Sequence, residues 1–258
     1  MKKEIKIISW NVNGLRAILK KGFLEWIQKE NPDILCLQET KISAKDIFKE
    51  LEKIKGYHHF FSCADKSGYS GVAIFSKIEP NQVIDGFGIK KYDKEGRMVI
   101  VRYSNFTLAN VYFPNGKLSN QRLKYKMDFY SDFRKYINTL KLQGEKVIFC
   151  GDVNTAHKEI DLARPKENSE ISGFLPKERK WIDDIINDGY LDSFRIFNKN
   201  SGQYTWWSQR TAARKRNVGW RIDYFFVDKR MKNKIEDSYI LNDVMGSDHC
   251  PIAIKIKI

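Results

Sequence analysis

The sequence predicts an α/β fold, a sandwich of mixed β-sheets with helices covering its outer faces. Three observations carry that expectation. Apolar runs rich in Ile, Val, Phe and Tyr recur along the 258 residues; helical periodicity falls between some of these runs and not others; and no linker, low-complexity tract or fixed-period repeat interrupts them. Uniform strand–helix alternation would build an all-parallel sheet, whereas strands arriving in adjacent pairs also need antiparallel neighbours. One domain spanning 1–258 is expected.

In chain order, the run at 5–10 (IKIISW) opens the series. A helix is expected over 22–30, where Phe23, Leu24 and Ile27 share a face and Asn31-Pro32 stops it. Strand-like runs follow at 34–38, 57–62, 71–76, 98–103 and 106–112. His58 and His59 lie in the second of these, and adjacent strand residues face opposite sides, so they read as structural. The clearest helix spans 120–141, with Leu123, Met127, Tyr130, Phe133, Ile137 and Leu140 three or four apart and Ser119 placed to cap it. After a run at 146–150, a third helix over 177–187 turns Trp181, Ile182, Ile185 and Ile186 inward before Gly189. Runs at 224–227 and 251–256 close the chain.

Composition narrows the function. Lys and Arg number 46 against 32 Asp and Glu, a net charge of +14, which suits a polyanionic partner such as nucleic acid or acidic lipid. Hydrophobic content of 42% excludes a disordered chain, and a mean hydropathy of −0.52 without a long uncharged apolar run argues against a membrane span. No secretory signal is read at MKKEIKIISW, so a cytoplasmic protein, at the nucleoid when it acts, is expected. Cys36, Cys63, Cys150 and Cys250 lack CxxC spacing and read as free thiols, which leaves oxygen as the ligand for any metal.

The chemistry sits where strands end. Asn11 and Asn13 follow the first run, Glu39 the second, Tyr112 ends the run before Pro114-Asn115-Gly116, Asp152 and Asn154 follow the run at 146–150, Asp223 opens YFFV, and Asp248-His249 precedes the last run. Any one of these is ordinary turn chemistry. Together, carboxylates and amides form a hard-oxygen set for Mg²⁺ or Mn²⁺. Phosphodiester hydrolysis needs a cation on the phosphate, a base for water and help for the leaving oxygen. Glu39 and Asp248 are candidate ligands, Asp152 a candidate base, Asn154 a group to orient water or phosphate, and His249–Asp223 a pair in which the carboxylate fixes the imidazole and favours its cation.

Whole motifs go further. ISWNVNGLRA (8–17), PDILCLQETK (32–41), YSGVAIFSK (69–77), NVYFPNG (110–116), RLKYK (122–126), GDVNTAH (151–157), EIDLARPK (159–166), NVGWRIDYFFV (217–227) and GSDHCPI (246–252) occur in order across the chain. This sequence resembles the exonuclease III class of apurinic/apyrimidinic endonucleases, within the endonuclease/exonuclease/phosphatase superfamily. NVGWRIDYFF and YFPNG favour the abasic-site nucleases over the phosphatase branches.

The resemblance implies a four-layer α/β sandwich, two mixed sheets face to face, with the active site at one end. It implies Mg²⁺-dependent cleavage, with Mn²⁺ able to substitute, on the 5′ side of an abasic site in double-stranded DNA, leaving a 3′-hydroxyl. 3′-to-5′ exonuclease and 3′-phosphodiesterase side activities accompany it, and incision at deoxyuridine stays open. A monomer acting without a membrane is expected. By the same resemblance Glu39 is the principal metal ligand with Asn11 and Asp248 at its margin, Asp152 activates water, Asn154 and Tyr112 meet the scissile phosphate, and Asp223–His249 contacts it. Asn13 departs from members that carry an aspartate there.

DNA contacts are implied for Asn115, Lys117, Lys124 and Lys126, and Trp206, Trp220 and Ile222 are placed at the pocket for the abasic sugar. The stretch 208–221 holds Arg210, Arg214, Lys215, Arg216 and Arg221 with no acid, flanked by Trp206, Trp207 and Trp220. It reads as a basic loop with aromatic walls, cations for phosphates and an apolar pocket for a flipped sugar. Because adjacent strand residues alternate, one of Trp206 and Trp207 is expected in the pocket.

Overall fold

The computed structural model describes residues 4–47, 54–209 and 212–258. The first six-stranded sheet comprises β1 (Glu4–Asn11), β2 (Ile34–Gln38), β3 (His58–Ser62), β4 (Val72–Ser76), β13 (Ile235–Ile240) and β14 (Ile252–Lys257), in the order β13-β14-β1-β2-β4-β3. The second comprises β5 (Gln82–Asp85), β6 (Met98–Arg102), β7 (Thr107–Val111), β8 (Val147–Asp152), β9 (Tyr190–Asp192) and β12 (Asp223–Asp228), in the order β5-β6-β7-β8-β12-β9. A two-residue ribbon, β10 (Trp206–Trp207) with β11 (Gly219–Trp220), stands apart from both.

Each sheet is mixed through one parallel pair, β1 with β2 and β7 with β8. A parallel pair needs a crossover. Helices α1 (Leu15–Leu19) and α2 (Phe23–Glu30) supply the first, and α3 (Asn120–Leu142) the second. Ser119 caps α3, its hydroxyl accepting from the Arg122 N–H at 3.2 Å. Helix α4 (Pro176–Asn187) begins with proline, whose missing N–H is one the first turn would leave unbonded anyway.

Strand alternation sorts the cores. Ile148 and Cys150 point between the sheets toward Ile5, Ile7 and Ile254, while Phe149 on the opposite face packs with Phe133, Ile137 and Ile185 under α3 and α4. On the other sheet Trp10, Leu35 and Phe75 pack with Leu15, Ile18 and Phe23 from α1 and α2. The result is four layers, helices–sheet–sheet–helices. Cys36, Cys150 and Cys250 are buried free thiols, and Cys63 is free and half-buried.

The short strands β5, β9 and β13 and the helix α1 were absent from the pattern-based expectation. QVID and IEDSYI mix polar residues into partly exposed edge strands, so no clean apolar run marks them. No helix among the described residues is long and apolar enough to cross a membrane.

Candidate active site

Parallel pairing brings the C-terminal ends of β1, β2, β7 and β8 to one edge of the sandwich, and β12 and β14, antiparallel to β8 and β1, present their N-terminal ends there. The residues just beyond these ends form the site. Glu39 (φ +50°), Asn154 (φ +57°) and Asn13 (φ +49°) stand in left-handed backbone, which asparagine tolerates and glutamate adopts at a cost.

Asn11 is the centre of the arrangement. Its Oδ1 accepts the Asn13 N–H at 3.0 Å, which turns its Nδ2 toward both carboxylates: 2.9 Å to Glu39 Oε1 and 3.0 Å to Asp152 Oδ2. Asn11, expected at the margin of a metal site, therefore serves as a clamp whose oxygen is already engaged. Asn154 donates its N–H to Asp152 Oδ1 at 2.8 Å and its Nδ2 to Asp152 Oδ2 at 3.2 Å, and Asn115 Nδ2 donates to Asn154 Oδ1 at 2.8 Å.

Asp152 and Asp223 sit directly opposite each other on β8 and β12, a pairing of like charges that needs compensation. His249 supplies it. Its Nδ1 lies 2.9 Å from Asp223 Oδ2, which also accepts from Thr205 Oγ1 at 2.6 Å, and its Nε2 lies 3.8 Å from Asp152 Oδ2. Burial opposes the imidazolium, but Asp223 and then Asp152 outweigh it and lift His249 to about 10, so the ring is a cation at neutral pH. Burial pushes Asp152 up to about 7, with Asp223 and Glu39 adding to it against the pull of His249. Glu39 moves the other way: burial is outweighed by Lys41, whose Nζ is 2.9 Å from Oε2, and by the bond from Asn11. Burial and then Glu39 hold the Tyr112 phenol protonated, well above its usual range.

Ligating atoms of Glu39, Asp152 and His249 lie within 4.8 Å of one another. Two carboxylates and an imidazole with no thiolate among them could hold a hard divalent cation. Asp248, the other expected ligand, is held by Asn13 Nδ2 at 3.0 Å and Trp206 Nε1 at 3.1 Å.

Glu39, Tyr112, Asp152, Asn154, Asp248 and His249 line a cavity of about 210 Å³ together with Trp206, Trp220 and Ile222, and with Lys117 and Gly173. The ribbon β10–β11 places both indoles, pairing Trp206 with Trp220. Trp207, the next residue, points away and donates to Asn217 Oδ1 at 3.1 Å.

A family model described as the endonuclease/exonuclease/phosphatase family matches residues 8–249. The chain belongs to this family. It is 46% identical to an exodeoxyribonuclease of Bacillus subtilis, the match covering 98% of this chain and 100% of that one. It is 44% identical to a DNA-(apurinic or apyrimidinic site) endonuclease of Dictyostelium discoideum, over 99% of this chain and 71% of that one. Among solved structures, the AP endonuclease of Leishmania major superimposes with a TM-score of 0.89 at 32% identity, over 99% of this chain and 88% of that one. The chain is a hydrolase, a nuclease of the exodeoxyribonuclease and AP endonuclease type.

Several basic residues of this family member stand elsewhere than expected. Lys126 is 0% exposed and all three of its N–H groups are bonded inside the protein, so it cannot reach a phosphate. Arg214 turns inward, its Nη2 donating to the Asn242 and Val244 carbonyls at 2.6 and 2.8 Å with its guanidinium 4.6 Å from the Trp207 ring centroid, which makes it a strut of the loop. Arg221 is 1% exposed. Asn115, Lys117, Lys124 and Arg216 are exposed, the Lys117 ammonium lying 5.1 and 4.8 Å from the Trp206 and Trp220 ring centroids. Arg210 lies outside the described residues. The pattern did not reveal Thr205 or Lys41; only Lys41, two residues from Glu39 in QETK, carried a signal, since alternate residues of an extended segment share a side.

Arg221 instead anchors the wall from below. It bonds Asp161 Oδ1 through Nε at 2.7 Å and Asp192 Oδ2 through Nη2 at 2.6 Å, and Arg195 joins Asp161 at 2.5 Å. Burial would raise Asp161, but Arg221 and then Arg195 outweigh it and hold the carboxyl down at about 2. A depressed folded-state value contributes stability above the unfolded value and loses it as pH falls through the folded one. Asp161→Asn is therefore expected to remove about 2 kcal/mol at pH 7 and almost nothing at pH 2, read from urea midpoints at the two pH values. Equal losses at both would reject the ion pair as the source.

Proposed function

We propose that this nuclease hydrolyses the phosphodiester on the 5′ side of an abasic site in double-stranded DNA with Mg²⁺, for which Mn²⁺ can substitute, and that 3′-to-5′ exonuclease and 3′-phosphodiesterase activities accompany it. One observation carries the reading: the carboxylate–imidazole cluster and the indoles of Trp206 and Trp220 line a single cavity. At about 210 Å³ it falls below the ~300–1,000 Å³ of pockets that hold drug-sized ligands. A sugar without its base suits so small a space.

In this reading Glu39 would hold the cation, which when bound would neutralise charge on the phosphate and the departing oxygen. Asp152, pushed above the usual carboxylate range by burial, takes a proton from the attacking water. Water oxygen bonds to phosphorus, the bond to the 3′ oxygen breaks, and that oxygen leaves as an alkoxide that takes a proton from solvent water to become the 3′-hydroxyl. Asn154 and Asn11 fix the Asp152 carboxylate throughout. The His249 cation, oriented by Asp223, faces the developing phosphate charge, and the protonated Tyr112 can donate to it. Asn115 and Lys117 hold the flanking strand.

A duplex carrying one tetrahydrofuran site tests the reading directly. Cleavage 5′ to that site with Mg²⁺, lost with EDTA, is expected; an uncut duplex under both conditions rejects it.

A further inference from the structure

The most deeply buried charges near the site do not touch the cavity. Lys126 on α3 and Glu178 in the first turn of α4 are both 0% exposed, with Nζ 2.6 Å from Oε1. An ammonium has three donors. Lys126 spends the other two on the Asn154 carbonyl and Thr155 Oγ1, each at 2.8 Å. Glu178 turns its second oxygen, Oε2, to the backbone N–H groups of Gly173 at 2.7 Å and Leu175 at 3.1 Å. One end of the pair thus grips the loop after β8, and the other grips the loop whose Gly173 lines the cavity.

The gripped carbonyl is a significant one. Asn154 stands at φ +57°, in the left-handed region that asparagine tolerates, and the bond to its carbonyl helps hold the turn there. Its N–H and side chain orient Asp152. Gly173 closes the bracket: its carbonyl accepts the Ala156 N–H at 2.8 Å, and a Cβ there would lie 3.2 Å from Trp220. Two ions held out of water stabilise a fold no better than a well-packed apolar pair would, so stability alone does not account for them.

We propose that Lys126 and Glu178 are positioning residues for hydrolysis, setting the Asn154 backbone, and through it the Asp152 carboxylate, against the sugar-pocket wall. The proposal rests on the reading of this cavity as a phosphodiester-cleaving site. Neither residue touches DNA; each acts through the loops it ties together.

Glu178→Gln keeps the shape but sets an amide NH₂ against either the ammonium or the two backbone donors. Single-turnover rates on the tetrahydrofuran duplex, measured per folded molecule well below the melting temperature, are expected to fall ~10–100-fold, because misplacing reacting groups by about an ångström costs on that scale. KM is expected to stay within about threefold, since the surface groups facing DNA are unchanged. Lys126→Met gives the same split, and either variant suffices should the other fail to fold. A rate within about twofold of wild type in the folded variants, or a rise in KM with the rate held, overturns the proposal. The assays are run in parallel on a 3′-recessed duplex. A wild-type protein that digests it but spares the tetrahydrofuran duplex removes the abasic-site reading, and the rates of both variants on the recessed end then decide the positioning role.

Discussion

Asp152→Asn is expected to lower cleavage of an abasic duplex at least ~10²-fold while leaving its DNA affinity nearly unchanged, because positioned proton transfer contributes ~10²–10⁴-fold and a same-shaped amide preserves the surface. The bonds around the residue explain the asymmetry. Asn11 Nδ2 and Asn154 Nδ2 both donate to Asp152 Oδ2, so an amide at 152 keeps most of its bonds by turning its oxygen toward them, at the loss of the bond that Oδ1 accepts from the Asn154 N–H. It occupies the same volume, yet it lacks the charge and the basicity to take a proton. Single-turnover rates in Mg²⁺ and binding by fluorescence anisotropy in EDTA separate the two effects. Equal losses of affinity and rate would reject Asp152 as the base.

Gly151→Ala is expected to cost ~2–6 kcal/mol, combining ~1–3 for the backbone conformation with ~1–3 for overpacking. Gly151 stands at φ +133°, and a Cβ there would sit 1.9 Å from the Val111 carbonyl oxygen on the neighbouring strand. The obstacle is backbone, so no side-chain rotation relieves it. Against a typical total of 5–15 kcal/mol, the variant should melt far below wild type or fail to accumulate as soluble protein. A urea midpoint within experimental error of wild type would show that β7 and β8 separate more easily than their pairing suggests.

Much of this was legible in the chain. The central strands are fully buried apolar runs, and α3 buries Tyr130, Phe133, Ile137 and Leu140 of its expected face behind a serine cap, so periodicity marks them. The strand-end carboxylates and amides were visible because β1, β2, β7 and β8 end in the same direction. Edge strands β5 and β13 were not, since their partly exposed faces tolerate polar residues. Basic residues proved the least readable. Arg221 and Lys126 look identical in sequence to phosphate-binding cations, and only their buried partners, Asp161, Asp192 and Glu178, reveal structural duty. A tally of charge counts such residues without showing which way they point.

The Asn11 clamp has a consequence for how the molecule fails. Glu39 follows a strand of one sheet and Asp152 ends a strand of the other, so the amide bonded to both spans the seam of the sandwich. Nearby, Gln38 Nε2 reaches Asn110 Oδ1 at 2.6 Å across the same seam. The reaction centre is a joint between two half-molecules, not a pocket carved into one. A slip of one sheet over the other would pull Glu39 from Asp152 while every helix and strand stayed intact, so in the reading proposed above catalytic competence reports the alignment of the halves more sensitively than any measure of secondary structure.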